Sequence, residues 1–360
     1  MDYSKKENQV PSENSQKCQF FPECGGCDYL DLTELEYRKI KQRNLQKILP
    51  KISQYFWIKP NSRRKITLQI GTKNEVGFFA KASNNLIEID KCYVSEDKIS
   101  NIILPIKNFL KTFENNLIAQ IQITLFDNGL DLIFIIKREF NFTQTQKITQ
   151  FAKDNKINIS YKLKNEVSPI FLLQNNQILI NNKTLNLTSD IFIQATTDGI
   201  KIITQKISEF ILQNFAIKPK VIDIYAGFGI YSFAIADFVK EIHAFEGDEE
   251  MTKLIQKNST KNCVKIFAKN RDLFFYPISA KELKDFDLVI INPPRNGATP
   301  QIKEIAKSKL QNLIYVSCNP KTFAFDIKIL TDAGFVIEKI FAIDQFYGTN
   351  HFEILAYIKK

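Results

Sequence analysis

The sequence predicts an α/β fold: a doubly wound, mostly parallel sheet over residues 191–360, preceded by a small cysteine-bearing unit (18–94) and a central α+β domain (95–190). Three observations predict it. From about residue 191, short apolar runs ("VIDIYA", "EIHAFE", "VKIFA", "FDLVII", "LIYVS") alternate with longer helical patterns, the rhythm of βα units in a parallel sheet. The first run ends in a glycine turn, "DIYAGFG" (223–229), where open α/β sheets bind ligands. The fifth runs straight into "SCNP" and another helical pattern.

The elements follow in chain order. Residues 1–17 are polar and lack the apolar core of a secretory signal, so they read as a disordered lead-in. No apolar run approaches the roughly 18 residues of a membrane helix. A cytoplasmic, reducing location is therefore expected, where grouped cysteines bind metal or do chemistry more often than they pair. The net charge of +10 favours an acidic partner, most simply nucleic acid. No membrane partner is expected, and a monomer is the default state.

"CQFFPECGGC" places Cys18, Cys24 and Cys27 within ten residues. A helix follows around "LTELEYRKIKQRNLQKIL", then a hairpin, "RRKITLQI-GTKN-EVGFFAK", with Gly71 and Asn74 in its turn. The central domain alternates helix and strand and contains the hairpin "IAQIQITLF-DNG-LDLIFIIK", with Asn128-Gly129 supplying positive φ. At the C-terminus, "FVIEKIFAID" and "HFEILAYI" read as two antiparallel strands closing the sheet. Cys263 reads as a small buried residue on the third parallel strand.

In the glycine turn, Gly227 and Gly229 let backbone approach a ligand. Glu246 ends the next strand, placed to accept hydrogen bonds from a ribose. A dinucleotide site needs a third glycine where this chain has Phe233, so a nucleoside cofactor without a pyrophosphate fits better, namely S-adenosylmethionine. "NPPRNG" after the fourth strand makes a rigid shelf carrying Asn292. Arg295 stands where amine methyltransferases of the N-P-P type place a base-stacking aromatic, which argues against that chemistry.

Cys318 lies at a strand-to-helix turn with Pro320 at the expected first helical position, a setting that stabilises thiolate. Uracil C5 is a poor nucleophile; thiolate addition at C6 makes it enolate-like, and a base must then remove the C5 proton. Glu353, at the start of the last strand, is an available carboxylate, and alternation puts His351 on the same face.

Together these residues resemble the RNA 5-methyluridine (uracil-C5) methyltransferases, in particular the iron–sulfur members that act on 23S ribosomal RNA. The likeness spans about residues 18–360 and rests on an ordered set: C-x5-C-x2-C with a distant cysteine, F-x-Q, D-x-Y-x-G-x-G, N-P-P-R-x-G, S-C-N-P and D-Q-F…H-x-E. The resemblance implies a Cys318 nucleophile and a Glu353 proton acceptor. It implies contacts to S-adenosylmethionine from Gln194, Tyr225, Glu246 and Asn292, with Asn270 near the adenine and Asp272 its rival. The family's Q-x-N here is Gln194-Ala195-Thr196. Cys92 matches the family's distant fourth cysteine. Four thiolates suit a [4Fe–4S] cluster or tetrahedral zinc; the resemblance implies the cluster, in a structural role that clamps the N-terminal segment to the hairpin. Some members carry an N-terminal RNA-binding β-barrel, and 17 residues before Cys18 are too few to build one. RNA, 23S rRNA or alternatively tRNA, is then expected on the cysteine unit and central domain, with Arg63, Arg64 and Lys65 as the candidate patch.

Overall fold

The computed structural model describes residues 18–360, and the lead-in expected over 1–17 lies outside them. After the cysteine segment comes α1 (Glu34–Gln46). A reciprocal cap starts this helix: Thr33 Oγ1 accepts from the Glu36 amide, and the Glu36 carboxylate accepts from the Thr33 amide. β1 (Gln54–Trp57) follows.

The middle of the chain builds a seven-stranded sheet. Its elements are β2 (Lys65–Ile70), β3 (Val76–Phe79), β4 (Leu86–Glu88), α2 (Asp97–Lys111), β5 (Ile118–Phe126) and β6 (Gly129–Ile136), then α3 (Phe142–Asn155), β7 (Asn158–Leu163) and β8 (Glu166–Phe171). The strand order is β4-β3-β2-β5-β6-β7-β8. All neighbours are antiparallel except β6 and β7, which α3 joins as a crossover. Ile102, Ile106, Ile148 and Phe151 from the two helices share one core with Ile121, Ile123 and Phe134.

A two-stranded ribbon, β9 (Asn176–Ile180) and β10 (Lys183–Leu187), comes next. It buries Ile178, Ile180, Leu185 and Leu187 in the core of the C-terminal half. That half runs α4 (Thr197–Asn214), β11 (Lys220–Ile224), α5 (Ile230–Ile235), β12 (Glu241–Glu246), α6 (Glu249–Lys261), β13 (Ile266–Asn270), α7 (Ala280–Leu283) and β14 (Leu288–Ile291). It ends with α8 (Thr299–Lys307), β15 (Asn312–Ser317), α9 (Pro320–Asp332), β16 (Val336–Asp344) and β17 (Glu353–Lys359). The sheet order is β1-β16-β17-β15-β14-β11-β12-β13. β13, β12, β11, β14 and β15 are parallel, and β17 runs against both β15 and β16. Helices cover both faces, so the central strands are buried throughout, as in Leu288–Ile291.

Residues 18–94 are divided between the sheets. β2–β4 form one end of the seven-stranded sheet, whereas β1 pairs in parallel with β16 at the edge of the eight-stranded one. Aromatic packing carries β1 there: Phe56 meets Phe341 at 6.1 Å and Trp57 meets Phe352 at 5.8 Å between ring centroids. The first hairpin turns as expected, with Asn74 at φ +66°. The second does not use positive φ at Asn128 or Gly129. There Asn128 acts through its side chain, donating to Asn175 O and accepting from the Gln177 amide, so tertiary hydrogen bonds replace the local turn preference.

Between β16 and β17 the chain makes a loop fixed at both ends by α1. Fully buried Lys41 donates to Asp344 Oδ1 at 2.6 Å and to His351 O at 2.9 Å. Tyr37 Oη donates to Asp344 Oδ2 at 2.6 Å and accepts from the Gly348 amide at 3.1 Å. Removing one partner of a buried ion pair strands the other, so Lys41→Ala should cost about 3–5 kcal/mol, read as a lower midpoint in denaturant unfolding.

Candidate active site

The glycine turn leaves β11 at the C-terminal edge of the sheet. Gly227 and Gly229 both have positive φ, as does Tyr225 at +62°, an unfavourable conformation for a bulky side chain. Glu246 braces the turn from β12: its Oε2 accepts from the Gly227 amide at 2.8 Å, and its Oε1 accepts from the amides of Gly247 and Asp248. Asn270 Nδ2 holds the same bend by donating to the carbonyls of Glu246 and Gly247. Asp272 caps its own turn, accepting from the amides of Phe274 and Phe275.

Several buried polar atoms here lack a partner among the described residues: Asp223 Oδ1, Tyr225 Oη and Gln345 Oε1. Burial pushes the Asp223 carboxyl up to about 7, even though Ser232 Oγ donates to its Oδ2 at 2.6 Å. Unmatched polar atoms beside an open glycine turn suit a polar nucleoside ligand, so this pocket fits S-adenosylmethionine. Asn292 sits across from the turn, its amide donating to Ile224 O at 3.2 Å. Gln194 is placed differently from the expectation of a free ligand contact. It is buried, its Nε2 donates to Tyr231 Oη at 2.9 Å, and its Oε1 accepts from Gln345 Nε2 at 2.9 Å. Thr196, where the resemblance would put asparagine, caps α4 by accepting from the Gly199 amide at 3.0 Å.

Sheet register brings the thiol and carboxylate together. Ser317 pairs with Ile354 across β15 and β17, so the next residue, Cys318, faces the neighbour, Glu353. Asn319 caps α9 through its side chain, and Pro320 opens the helix as the sequence predicts. Asn319 Nδ2 also donates to Arg295 O at 3.0 Å, drawing the "NPPR" shelf against the cysteine turn. Asp326 fastens the same shelf: it accepts from the Ala298 amide at 3.0 Å and from Tyr315 Oη at 2.7 Å.

Burial raises the Cys318 thiol above its usual range and the Glu353 charge raises it further, while the Arg295 guanidinium pulls it down by charge and hydrogen bond. Glu353 is 2% exposed. Burial pushes its carboxyl up to about 8, against the Gln345 hydrogen bond and the Arg295 charge. His351 lies before β17 and is exposed, so the two residues do not share a buried face. Arg295 and Gln345 stand inside the N-P-P-R-x-G and D-Q-F motifs but were given no role in the site; their contacts to Cys318 and Glu353 are what reveal one.

The candidate RNA patch is largely internal. Arg64 is buried and bonds Asp127 at 2.6 Å and Leu125 O at 2.9 Å, and Lys65 Nζ donates to Ile191 O at 3.2 Å. Cys263 is not buried on β13; it is exposed, with φ +52°, in the turn before it.

Cys18, Cys24, Cys27 and Cys92 line one cavity of about 280 Å³ together with Arg63, Lys65 and Lys91. Burial, reinforced by Cys92, pushes Cys27 up to about 12, and burial also raises Cys24. Among the described residues, no group of three or more His, Cys, Asp and Glu side chains closes as tightly as one metal ion requires. The cysteine segment binds both neighbours. Cys24 bridges to Ala80 beyond β3, and the amides of Asp28 and Tyr29 donate to Gly348 O at 2.6 and 3.2 Å. A side chain at Gly348 would meet Cys27 Sγ at 3.2 Å, and its φ is +81°.

The residue pattern of the family described as tRNA (uracil-5-)-methyltransferase matches residues 73–360. The chain belongs to this family. It is an S-adenosylmethionine-dependent RNA (uracil-C5-)methyltransferase. Relatives include an uncharacterised RNA methyltransferase of Zymomonas mobilis, 27% identical over 95% of this chain and 88% of its own length. A 23S rRNA (uracil(1939)-C(5))-methyltransferase of Shewanella sediminis is 26% identical over 94% of this chain and 80% of its own length. A Pyrococcus abyssi tRNA (uracil-54, C5)-methyltransferase, solved with S-adenosyl-L-homocysteine, shares the fold with a TM-score of 0.77 and 22% identity, over 94% of this chain and 86% of its own. No helix among the described residues is long and apolar enough to cross a membrane.

Both raised carboxyls make the folded methyltransferase bind more protons than the unfolded chain. Their stabilisation is complete at low pH and is lost as pH climbs toward about 7 for Asp223 and about 8 for Glu353. Glu353→Gln should therefore raise the calorimetric melting temperature of the ligand-free enzyme, by more at pH 8 than at pH 5.

Proposed function

We propose that this enzyme methylates C5 of a uridine in 23S rRNA, with Cys318 as nucleophile and Glu353 as proton acceptor. The observation that supports it best is the register that sets Cys318 opposite Glu353, beside the glycine turn. The Arg295 guanidinium favours the Cys318 thiolate. That thiolate bonds to uracil C6, and the C5–C6 π pair moves toward O4 as an enolate. S-adenosylmethionine, which the Tyr225–Gly229 turn, Glu246 and Asn292 would hold, would supply the electrophilic methyl group to the C5 pair, its sulfur–methyl bond breaking to leave neutral S-adenosylhomocysteine. Glu353 takes the C5 proton, and the released pair re-forms the C5–C6 double bond and expels Cys318 as thiolate. One methyl group enters and one proton leaves.

For the cysteine cavity the reading is a [4Fe–4S] cluster on Cys18, Cys24, Cys27 and Cys92. A single zinc would draw four sulfurs to about 3.8 Å from one another, given zinc–sulfur bonds of about 2.3 Å. All four cysteines line one cavity, which supports a four-thiolate group, and the likeness to the iron–sulfur members favours the cluster over zinc; Arg63, Lys65 and Lys91 in the same lining offset its negative charge. The cluster's role is structural, joining the cysteine segment to β3 and Gly348. The ribosomal substrate draws support from the Shewanella relative.

5-Fluorouridine-substituted 23S rRNA, with S-adenosylmethionine, tests the chemistry, because fluorine cannot leave C5 as a proton. The expected result is a covalent protein–RNA adduct that is absent in Cys318→Ala. An adduct with substituted tRNA alone would keep the mechanism and overturn the ribosomal substrate; no adduct with either RNA would overturn both. Anaerobically purified protein should contain about four irons per chain with inorganic sulfide. Cys24→Ser should lower the iron and the melting temperature together, and stoichiometric zinc instead would overturn the cluster.

A further inference from the structure

Glu353 is held by a residue that the sequence analysis gave no role, Gln345 of the D-Q-F motif. Gln345 lies one position beyond β16, in the loop pinned by Lys41, and it is 1% exposed. Its Nε2 donates to Glu353 Oε2 at 2.8 Å and to Gln194 Oε1 at 2.9 Å, which uses both amide hydrogens. Gln194 in turn donates at 2.9 Å to Oη of Tyr231, the second residue of α5, which Gly229 of the glycine turn precedes. Among the described residues Glu353 Oε1 takes no hydrogen bond, so the engaged oxygen is Oε2. Gly199 makes the room: a methyl group there would lie 2.6 Å from Gln345 Oε1.

We propose that Gln345 is a positioning residue for proton abstraction: it fixes the Glu353 carboxylate by one oxygen, leaves the other free toward the substrate, and joins this base to Gln194 and Tyr231 beneath the cofactor turn. The inference rests on the reading of Glu353 as the base. The groups around that carboxylate are Cys318 from the β15–α9 turn, Arg295 from the shelf after β14 and Tyr231 from α5. Of these only Arg295 shares with Gln345 the effect of favouring the ionised carboxylate. A donated hydrogen bond stabilises the charge and fixes direction, so its loss leaves a base that is harder to ionise and badly aimed. Addition of Cys318 at C6 uses neither property.

Gln345→Met keeps the volume and removes the donor. With uridine RNA, its single-turnover release of free methylated RNA should fall about 10-fold to 100-fold, part of what a general base contributes. The pH midpoint of that rate should move upward from the wild-type value, and methylated RNA should accumulate as a Cys318 adduct because release waits on proton removal. The yield of 5-fluorouridine adduct, which needs no proton removal, should match wild type. Gly199→Ala, which crowds Gln345 without altering its amide, should move the same midpoint in the same direction. A Gln345→Met enzyme with unchanged midpoint overturns the proposal, whether its rate is normal or lowered, since a purely structural defect lowers rate without moving the titration. Absence of a Cys318-dependent adduct in the wild-type enzyme would instead overturn the underlying reading of the reaction.

Discussion

The geometry of this enzyme depends on an ion pair that water does not reach. Lys41 and Asp344 are both fully buried, and burying two charges is worthwhile only when geometry and further hydrogen bonds compensate. Tyr37 supplies one such bond to Asp344, and the His351 carbonyl supplies another to Lys41. The effect is to hold the last residue of β16 and the approach to β17 on one helix. β17 must then begin at Glu353, and its pairing with β15 sets Glu353 against Cys318. A one-residue slip would turn the carboxylate to the opposite face of the sheet. An α-helix near the N-terminus thus decides where a carboxylate near the C-terminus points.

What could be read from the sequence was what local pattern encodes. The alternating βα rhythm, the glycine turn and the "SCNP" strand-to-helix turn each place their residues by spacing, and the structure has β11, α5, β15 and α9 there. Contacts between distant segments left no such trace. Arg64 and Lys65 looked like a basic patch because Asp127 and the Ile191 carbonyl, their partners, lie far along the chain. Gln194 was legible as a residue of the site, but its amide faces Tyr231 and Gln345. Gln345 stood in the D-Q-F motif without a role, because its contact with Glu353 comes from the loop closure that Lys41 enforces. The Asn128 turn shows the same effect in miniature: tertiary bonds to Asn175 and Gln177 overrode the preference of its dipeptide.

The two groups of reactive thiols show how surroundings set the chemistry of one residue type. Burial and the neighbouring cysteine sulfurs raise Cys27 and Cys24, and Arg63 for Cys27 and the Gly26 amide for Cys24 offset this only in part. Cys318 is also raised by burial, yet it has Arg295 and the start of α9 beside it. The first group joins the N-terminal segment to Gly348, so the residues around both thiol sets meet in the loop that leads to Glu353.

β1 lies at the sheet's edge, paired with β16 from Gln54↔Phe341 onward, a separation of 341 − 54 = 287 positions. Such a pairing gives the fold a high contact order, and chain closure over that distance is slow. During synthesis, β1 must wait for Phe341–Asp344 to emerge before its neighbour exists. The seven-stranded sheet has no such requirement, since its strands all lie between residues 65 and 171. Vectorial synthesis therefore lets the middle of this enzyme assemble first, and the catalytic sheet closes this edge only after β16 has emerged.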